Sequence, residues 1–135
     1  MEQFFTRDKA NEGKKLSLVL PDGKPSDEWI VIRSLDSDAY QKASLKRQRL
    51  ALKTAESDLT DEELDALSMQ AGLDVLVSLV ADWSFDDPCN EENVRKLLIN
   101  APQIKDAIDV AAHKRAFFYA PSSNSSALSL SKSES

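Results

Sequence analysis

Asp82-Trp83-Ser84-Phe85-Asp86-Asp87-Pro88-Cys89-Asn90-Glu91-Glu92-Asn93 is the stretch on which the reading of this 135-residue chain turns. Two large aromatics leave a strongly apolar segment and enter an acidic turn. Pro88 stops that turn, because proline has no N–H to donate and disfavours helix at the residue before it. Asn90 then suits the N-cap of the next helix, and Glu91 and Glu92 fall in its first turn, where the helix dipole favours negative charge. The stretch reads as a joint between helices, with Trp83, Phe85 and Pro88 as the structural residues that pin it to the core.

Upstream, Thr60-Asp61-Glu62-Glu63 is a capping box, in which the Thr hydroxyl and the Glu carboxylate each satisfy an orphan N–H at the opposite end of the motif. The apolar positions that follow, including Leu64, Leu67, Ala71, Val75, Leu79, Val80 and Trp83, recur mostly every three or four residues and predict a central buried helix over 61–83. Gly72 inside it implies a close approach by another element or a bend. Downstream, the spacing predicts a helix over 91–100, a break at Asn100-Ala101-Pro102, and a last helix over 102–119. The last helix carries a small-residue face, Ile104, Ile108, Ala111, Ala112 and Arg115, which would let another helix come close. Phe117, Phe118 and Tyr119 end it, and three consecutive bulky side chains cannot all face one core.

At the other end, Leu16, Leu18 and Leu20 alternate, and Trp29-Ile30-Val31-Ile32-Arg33 is a second β-prone run. Pro21-Asp22-Gly23 between them suits a turn with Pro second and Gly fourth, so 15–33 reads as a β-hairpin. Two strands alone are marginal in water and need helices on their apolar face. A further helix is expected over 37–55, with Asp36 or Ser37 as cap. Its Lys42, Lys46, Arg47, Arg49 and Lys53 make it the most basic segment, either a solvated face or a docking surface in which Lys46, Arg47 and Arg49 meet an acidic partner. Residues 1–14 show no period and read as a flexible arm. Residues 121–135 are Ser-rich and read as a disordered tail. The expected fold is α+β and predominantly α, an N-terminal β-hairpin packed on a bundle of about four helices within a single globular domain over 15–120.

A net charge of -6 works against non-specific attachment to nucleic acid or anionic membrane, and the N-terminus lacks a signal-peptide pattern. No apolar run approaches the ~20 residues of a membrane span. Cys89 is the only cysteine, so neither an internal disulfide nor a cysteine-based zinc cluster can form within one chain. His113 is the only histidine and stands among Ala and Lys. Asp82, Asp86, Asp87 and Glu91 do not follow the alternating spacing of a calcium loop. The sequence therefore offers no catalytic residue, no metal site and no cofactor motif. It points toward a protein that binds proteins.

Asp82-Trp83-Ser84-Phe85, Asp87-Pro88-Cys89, Glu92-Asn93-Val94, Leu97-Leu98, Pro102-Gln103-Ile104, Asp106, Ile108 and Phe117-Phe118 together resemble the tail assembly chaperones of long-tailed, siphovirus-type (lambda-like) bacteriophages. Trp29 and Asp36-Ser37-Asp38-Ala39 look similar too, so the resemblance spans roughly 22–118. It implies a late protein of the host cytoplasm, absent from the virion, which binds the tape measure protein and keeps it soluble until tail tube subunits polymerise around it. It also implies contact with the tail tube protein through a longer form made by ribosomal frameshifting. Coating a long client would take many copies, so self-association is expected, and an interface that repeats head to tail would give an open array. On the residues alone, Ile104 to Tyr119 are the candidate surface for client binding or self-association. The alternative is a small cytoplasmic adaptor that uses the basic helix, 42–53.

Overall fold

The alternation of Lys14–Val19 and Pro25–Ile32 does produce an antiparallel hairpin, and a third strand, Val80–Trp83, joins it in the computed structural model, which describes residues 1–120. In chain order the elements are a 3-10 turn at Glu2–Phe4, α1 (Arg7–Glu12), β1 (Lys14–Val19), β2 (Pro25–Ile32), α2 (Asp38–Ala55), α3 (Asp61–Val77), β3 (Val80–Trp83), α4 (Glu91–Asn100), α5 (Pro102–Ala112) and α6 (Arg115–Tyr119). The fold is α+β and mainly α, a three-stranded antiparallel sheet with six α-helices among the described residues. The Ser-rich tail expected over 121–135 lies outside those residues.

The hairpin turn forms as its residues dictate. Gly23 N–H donates to the Leu20 carbonyl at 2.8 Å, and Gly23 sits at φ +91, where a side chain would be strained. Strand β2 lies in the middle of the sheet, with Ile30 opposite Leu16 on one side and Trp83 on the other. Ile30 and Ile32 are fully buried, as are Leu79, Leu98 and Ile108, which come from the segments packed around them. Leu18 joins this core and Leu16 packs against it, but Leu20 ends up exposed just past the strand.

The helix expected over 61–83 stops at Val77, and its last residues become β3 instead. Periodicity cannot separate the end of a buried helix from a short buried strand, because both are runs of apolar residues. Hydrogen bonding makes the choice. The Ser78 hydroxyl donates to the Val75 carbonyl at 2.5 Å, Arg33 N–H donates to the Leu79 carbonyl at 2.6 Å, and the Arg33 guanidinium donates to the Ser78 and Val80 carbonyls at 3.0 and 3.1 Å. Trp83 is buried in β3, lies edge-on to Phe85 with ring centroids 5.2 Å apart, and donates its indole N–H to the Asp87 carbonyl at 2.7 Å. The joint is therefore pinned to the hairpin through the sheet.

The other boundaries differ in instructive ways. The first 14 residues, expected as a loose arm, contain α1, whose Ala10 is fully buried. Arg7 donates to Asp38 at 3.0 and 2.9 Å, Asp38 N–H donates to the Asn11 side chain at 2.8 Å, and Gly13 turns at φ +79 so close to β2 that a Cβ would stand 2.4 Å from the Ile32 carbonyl oxygen. The helix expected over 102–119 breaks at His113-Lys114 into α5 and α6. That break lets Phe118 turn into the core while Phe117 and Tyr119 stay half-buried, which resolves the steric conflict of three adjacent bulky residues. Helix α3 is buried only in its C-terminal half, at Ala71, Val75 and Val77, and α2 has no buried residue at all. Their outer parts pack chiefly on each other, as a helical hairpin that extends beyond the core.

A polar clamp holds α6 in place. Arg115 donates twice to the Asp36 carboxylate, each at 2.9 Å, and the Tyr119 hydroxyl donates to Asp36 at 2.9 Å and lies 3.1 Å from the buried Ser34 hydroxyl. The Arg115 guanidinium, assisted by Tyr119 and Ser34, holds the Asp36 carboxyl below the usual carboxylate range despite the opposing effect of burial.

Trp83→Ala should cost about 3 to 5 kcal/mol, read from urea unfolding, because it removes a buried indole and leaves a cavity beside Ile30. The clamp gives a pH signature. Since the folded form lowers the Asp36 pKa, ionised Asp36 stabilises the fold above its unfolded value of about pH 4 and loses that contribution as pH falls through the lower folded value. Wild type should therefore have a higher urea midpoint than Asp36→Asn at pH 6, and the gap should close below about pH 4.

Candidate functional site

A concave surface lies where the base of the α2–α3 hairpin meets α5. A groove of about 560 Å³ opens there. Leu35, Leu73, Leu76 and Leu79 supply apolar lining, and Tyr40 and Arg47 come from α2. Lys105, Asp106 and Asp109 on α5 form a charged rim, with His113 beside them at the C-cap of that helix. His113 is exposed and its Nδ1 lies 2.7 Å from the Asp109 carbonyl, one turn back on the same helix. An apolar floor under a rim of mixed charge is suited to an amphipathic helix, whose apolar stripe would fill the floor while its polar flanks meet the rim.

Gly72 belongs to this groove. A Cβ placed there would meet only the end of the Arg47 side chain, at an ordinary 3.6 Å, and the backbone has no left-handed conformation that would demand glycine. Neither a close approach nor a kink requires it. Its absent side chain leaves the groove open.

The residues singled out from sequence separate into distinct environments. Ile108, Ala111, Ala112 and Phe118 are buried in the core, so their apolar surface is already engaged within the fold. Ile104, Phe117 and Tyr119 are half-buried against it, and Arg115 is exposed but engaged with Asp36. Lys46, Arg47 and Arg49 are all exposed on α2. Arg47 faces the groove, whereas Lys46 and Arg49 stand on another side of the helix with Lys42 and Lys53, at spacings of four and three residues. At the joint, Trp83 is buried, Phe85 half-buried and Pro88 exposed, and Asn90 caps α4 by accepting from Asn93 N–H at 2.9 Å. Burial and the neighbouring Asp82 push the Cys89 thiol up, against a smaller opposing effect of Arg33, so it stays protonated and poorly nucleophilic at neutral pH.

Sequence reasoning missed the groove, because its lining comes from three helices, the loop after β2 and the link between α3 and β3, and no short segment carries a signal for it. Nor did it propose Leu45, Leu52 and Met69 as a contact surface, although they are large, apolar and 51%, 72% and 76% exposed. Leucines outside the best stripe of an amphipathic helix face away from its packing partner.

None of the helices among the described residues is long and apolar enough to cross a membrane. Comparison with known proteins yields one family: a model described as phage tail assembly chaperone matches residues 12–124. Neither the curated proteins nor the solved structures contain a match. The family match takes in β1 through α6, including the Trp83 joint and every residue that lines the groove. This chain belongs to the phage tail assembly chaperone family.

Proposed function

We propose that this chaperone binds the tape measure protein of its phage in the host cytoplasm, keeps it soluble, and promotes tail tube polymerisation around it without entering the virion. It acts by binding, with no catalytic step. The observation that carries the reading is the groove between α2, α3 and α5 in a chain whose family assembles phage tails. A long helical client exposes apolar stripes that would associate with one another in water. A groove with an apolar floor and a charged rim covers one such stripe and replaces it with a solvated surface. The tail tube protein would be recruited through a longer frameshifted form, and self-association would place several copies along one client.

The client surface proposed here is the groove, with Ile104 and Phe117 as half-buried neighbours on the α5–α6 side. Ile108, Ala111, Ala112 and Phe118 are buried in the core and offer little surface to a client. A second reading, an adaptor for an acidic partner, rests on the exposed basic side of α2 at Lys46, Arg47 and Arg49. Charge reversal there would abolish binding by an adaptor, whereas a client helix seated on the apolar floor would keep most of its affinity.

Co-expression with the tape measure protein of the same phage should move that protein into the soluble fraction and bring it down with the chaperone; failure of both would sink the reading. Gly72→Leu tests the groove. The leucine favours helix by up to about 1 kcal/mol over glycine, so the fold should melt no lower than wild type. Its side chain occupies the groove, and binding of a client helix by calorimetry should weaken about tenfold or more, a loss of at least ~1.4 kcal/mol.

A further inference from the structure

The two walls of the groove carry opposite charge. On α3, Ser68, Gly72 and Leu76 line it at spacings of four, so the floor runs lengthwise along that helix, and α3 brings no charged residue into the lining. On the α2 wall the Arg47 guanidinium reaches over the floor, 3.6 Å from the point that a Cβ on Gly72 would take. On the α5 wall Asp106 and Asp109 form an exposed line that His113 continues at the C-cap, at spacings of three and four. Lys105, on the same wall, is half-buried. Among the described residues neither Arg47 nor Asp106 forms an ion pair, and Asp109 meets only the His113 imidazole, at 3.5 Å. Positive charge on one wall and negative charge on the other are both open to a ligand.

We infer that the groove fixes the direction in which a client helix lies along it, and that Arg47, Asp106 and Asp109 set this polarity. The ligand it selects is an amphipathic helix whose apolar stripe has carboxylates on one flank and Lys or Arg on the other. Turning such a helix end for end, with its stripe still on the floor, exchanges its flanks. Carboxylates that met Arg47 then face Asp106 and Asp109, so attraction on both walls becomes repulsion. Helix handedness says which direction wins. Leu64 and Leu67 are the half-buried positions on the outer half of α3, where α2 is its chief neighbour. Seen from the N-terminal end of α3 with the groove uppermost, they fall anticlockwise of the line through Ser68, Gly72 and Leu76 at about 100° per residue, which puts α2 on the left. A client parallel to α3, with its apolar stripe at heptad positions a and d, turns its e positions toward α2 and its g positions toward α5. Acidic e positions with basic g positions therefore require the parallel direction, and the exchanged pattern requires the antiparallel one.

The inference rests on the reading of the groove as the client site and deepens it. A long client with a constant flank pattern would orient every chaperone seated on it alike. Its test uses designed peptides and reads direction, whereas the chaperone reading is tested by the solubility of the tape measure protein, so the two can fail separately.

The probes are two Ala-based helical peptides of about 20 residues, long enough to hold helix alone. Both have Leu at the central a and d positions; one has Glu at e and Lys at g, the other the reverse, and each carries a nitroxide at its N-terminus. Bound to the full chain, the first should broaden the Ser68 amide resonance more than that of Leu76, which lies eight residues or about 12 Å further along α3, and the second should do the opposite. The variant R47E/D106K/D109K exchanges the charges of the walls and should reverse both patterns, with unchanged helix content by circular dichroism. R47E alone makes both walls acidic and should leave each peptide without a preferred direction. Equal broadening at both ends in wild type, the same direction for both peptides, or a direction that the triple variant does not reverse overturns the inference and leaves the groove as a client site. Absence of binding by either peptide, or binding that Gly72→Leu does not weaken, overturns the inference together with the assignment of the groove.

Discussion

Pairing of β3 with β2 is the constraint on which the rest of this fold depends. A hairpin alone would leave one edge of β2 unpaired and Ile30 and Ile32 under-covered, and isolated two-stranded ribbons are marginal in water. The chain returns after α3 to close that edge: Trp83 comes opposite Ile30, Val80 opposite Ile32, and Ser84 both donates its N–H to the Trp29 carbonyl at 3.0 Å and accepts from Trp29 N–H at 2.8 Å through its hydroxyl. Both flanks of β2 are thereby hydrogen-bonded. Because β3 is short, Trp83 must then hold the following turn, which it does through Asp87 and Phe85. Helices α4 and α5 begin from a point fixed by the sheet.

With that core closed, the remaining elements fall into two mechanical classes. Helix α1 and helix α6 are short, and each is tied down by side chains that reach the start of α2 or the loop before it: Arg7 and Asn11 to Asp38, Arg115 and Tyr119 to Asp36. Neither helix is long enough to be stable alone, so these contacts and one buried apolar residue each, Ala10 and Phe118, hold them. The α2–α3 hairpin is the opposite case. Its capping is sound, with Ser37 and Thr60 accepting from Tyr40 and Glu63 N–H, yet its outer part buries little. Long helices with few core contacts keep their shape through internal hydrogen bonds while presenting most of their surface to partners.

Much of this architecture was legible in the residues. Caps at Ser37, Thr60 and Asn90, the break before Pro102 and the hairpin turn at Gly23 are local devices, each satisfied by groups a few positions away, and each appears where its sequence places it. What escaped was set by partners distant in sequence. Val80 to Trp83 looks helical until β2 offers its free edge, and residues 7–12 look aperiodic because a six-residue helix buries a single Ala. The candidate site was less legible for the same reason. Ile108, Ala111 and Ala112 form the small-residue face that their spacing promises, but what comes close to that face is the protein's own core.

The exposed leucines raise a separate question, because apolar residues on a surface helix ordinarily invite nonspecific aggregation. Their flanks answer it. Leu45 and Leu52 are bordered by Lys42, Lys46, Arg49 and Lys53, and Met69 by Glu62 and Asp65, so any approach that buries the apolar atoms also brings a definite charge pattern into contact. Like-charged surfaces are turned away before their apolar parts meet, while an oppositely charged one gains on both counts. The groove beside Gly72 is arranged differently: its floor is apolar, its charges lie on the rim, and Met69 is common to it and to the outer side of α3.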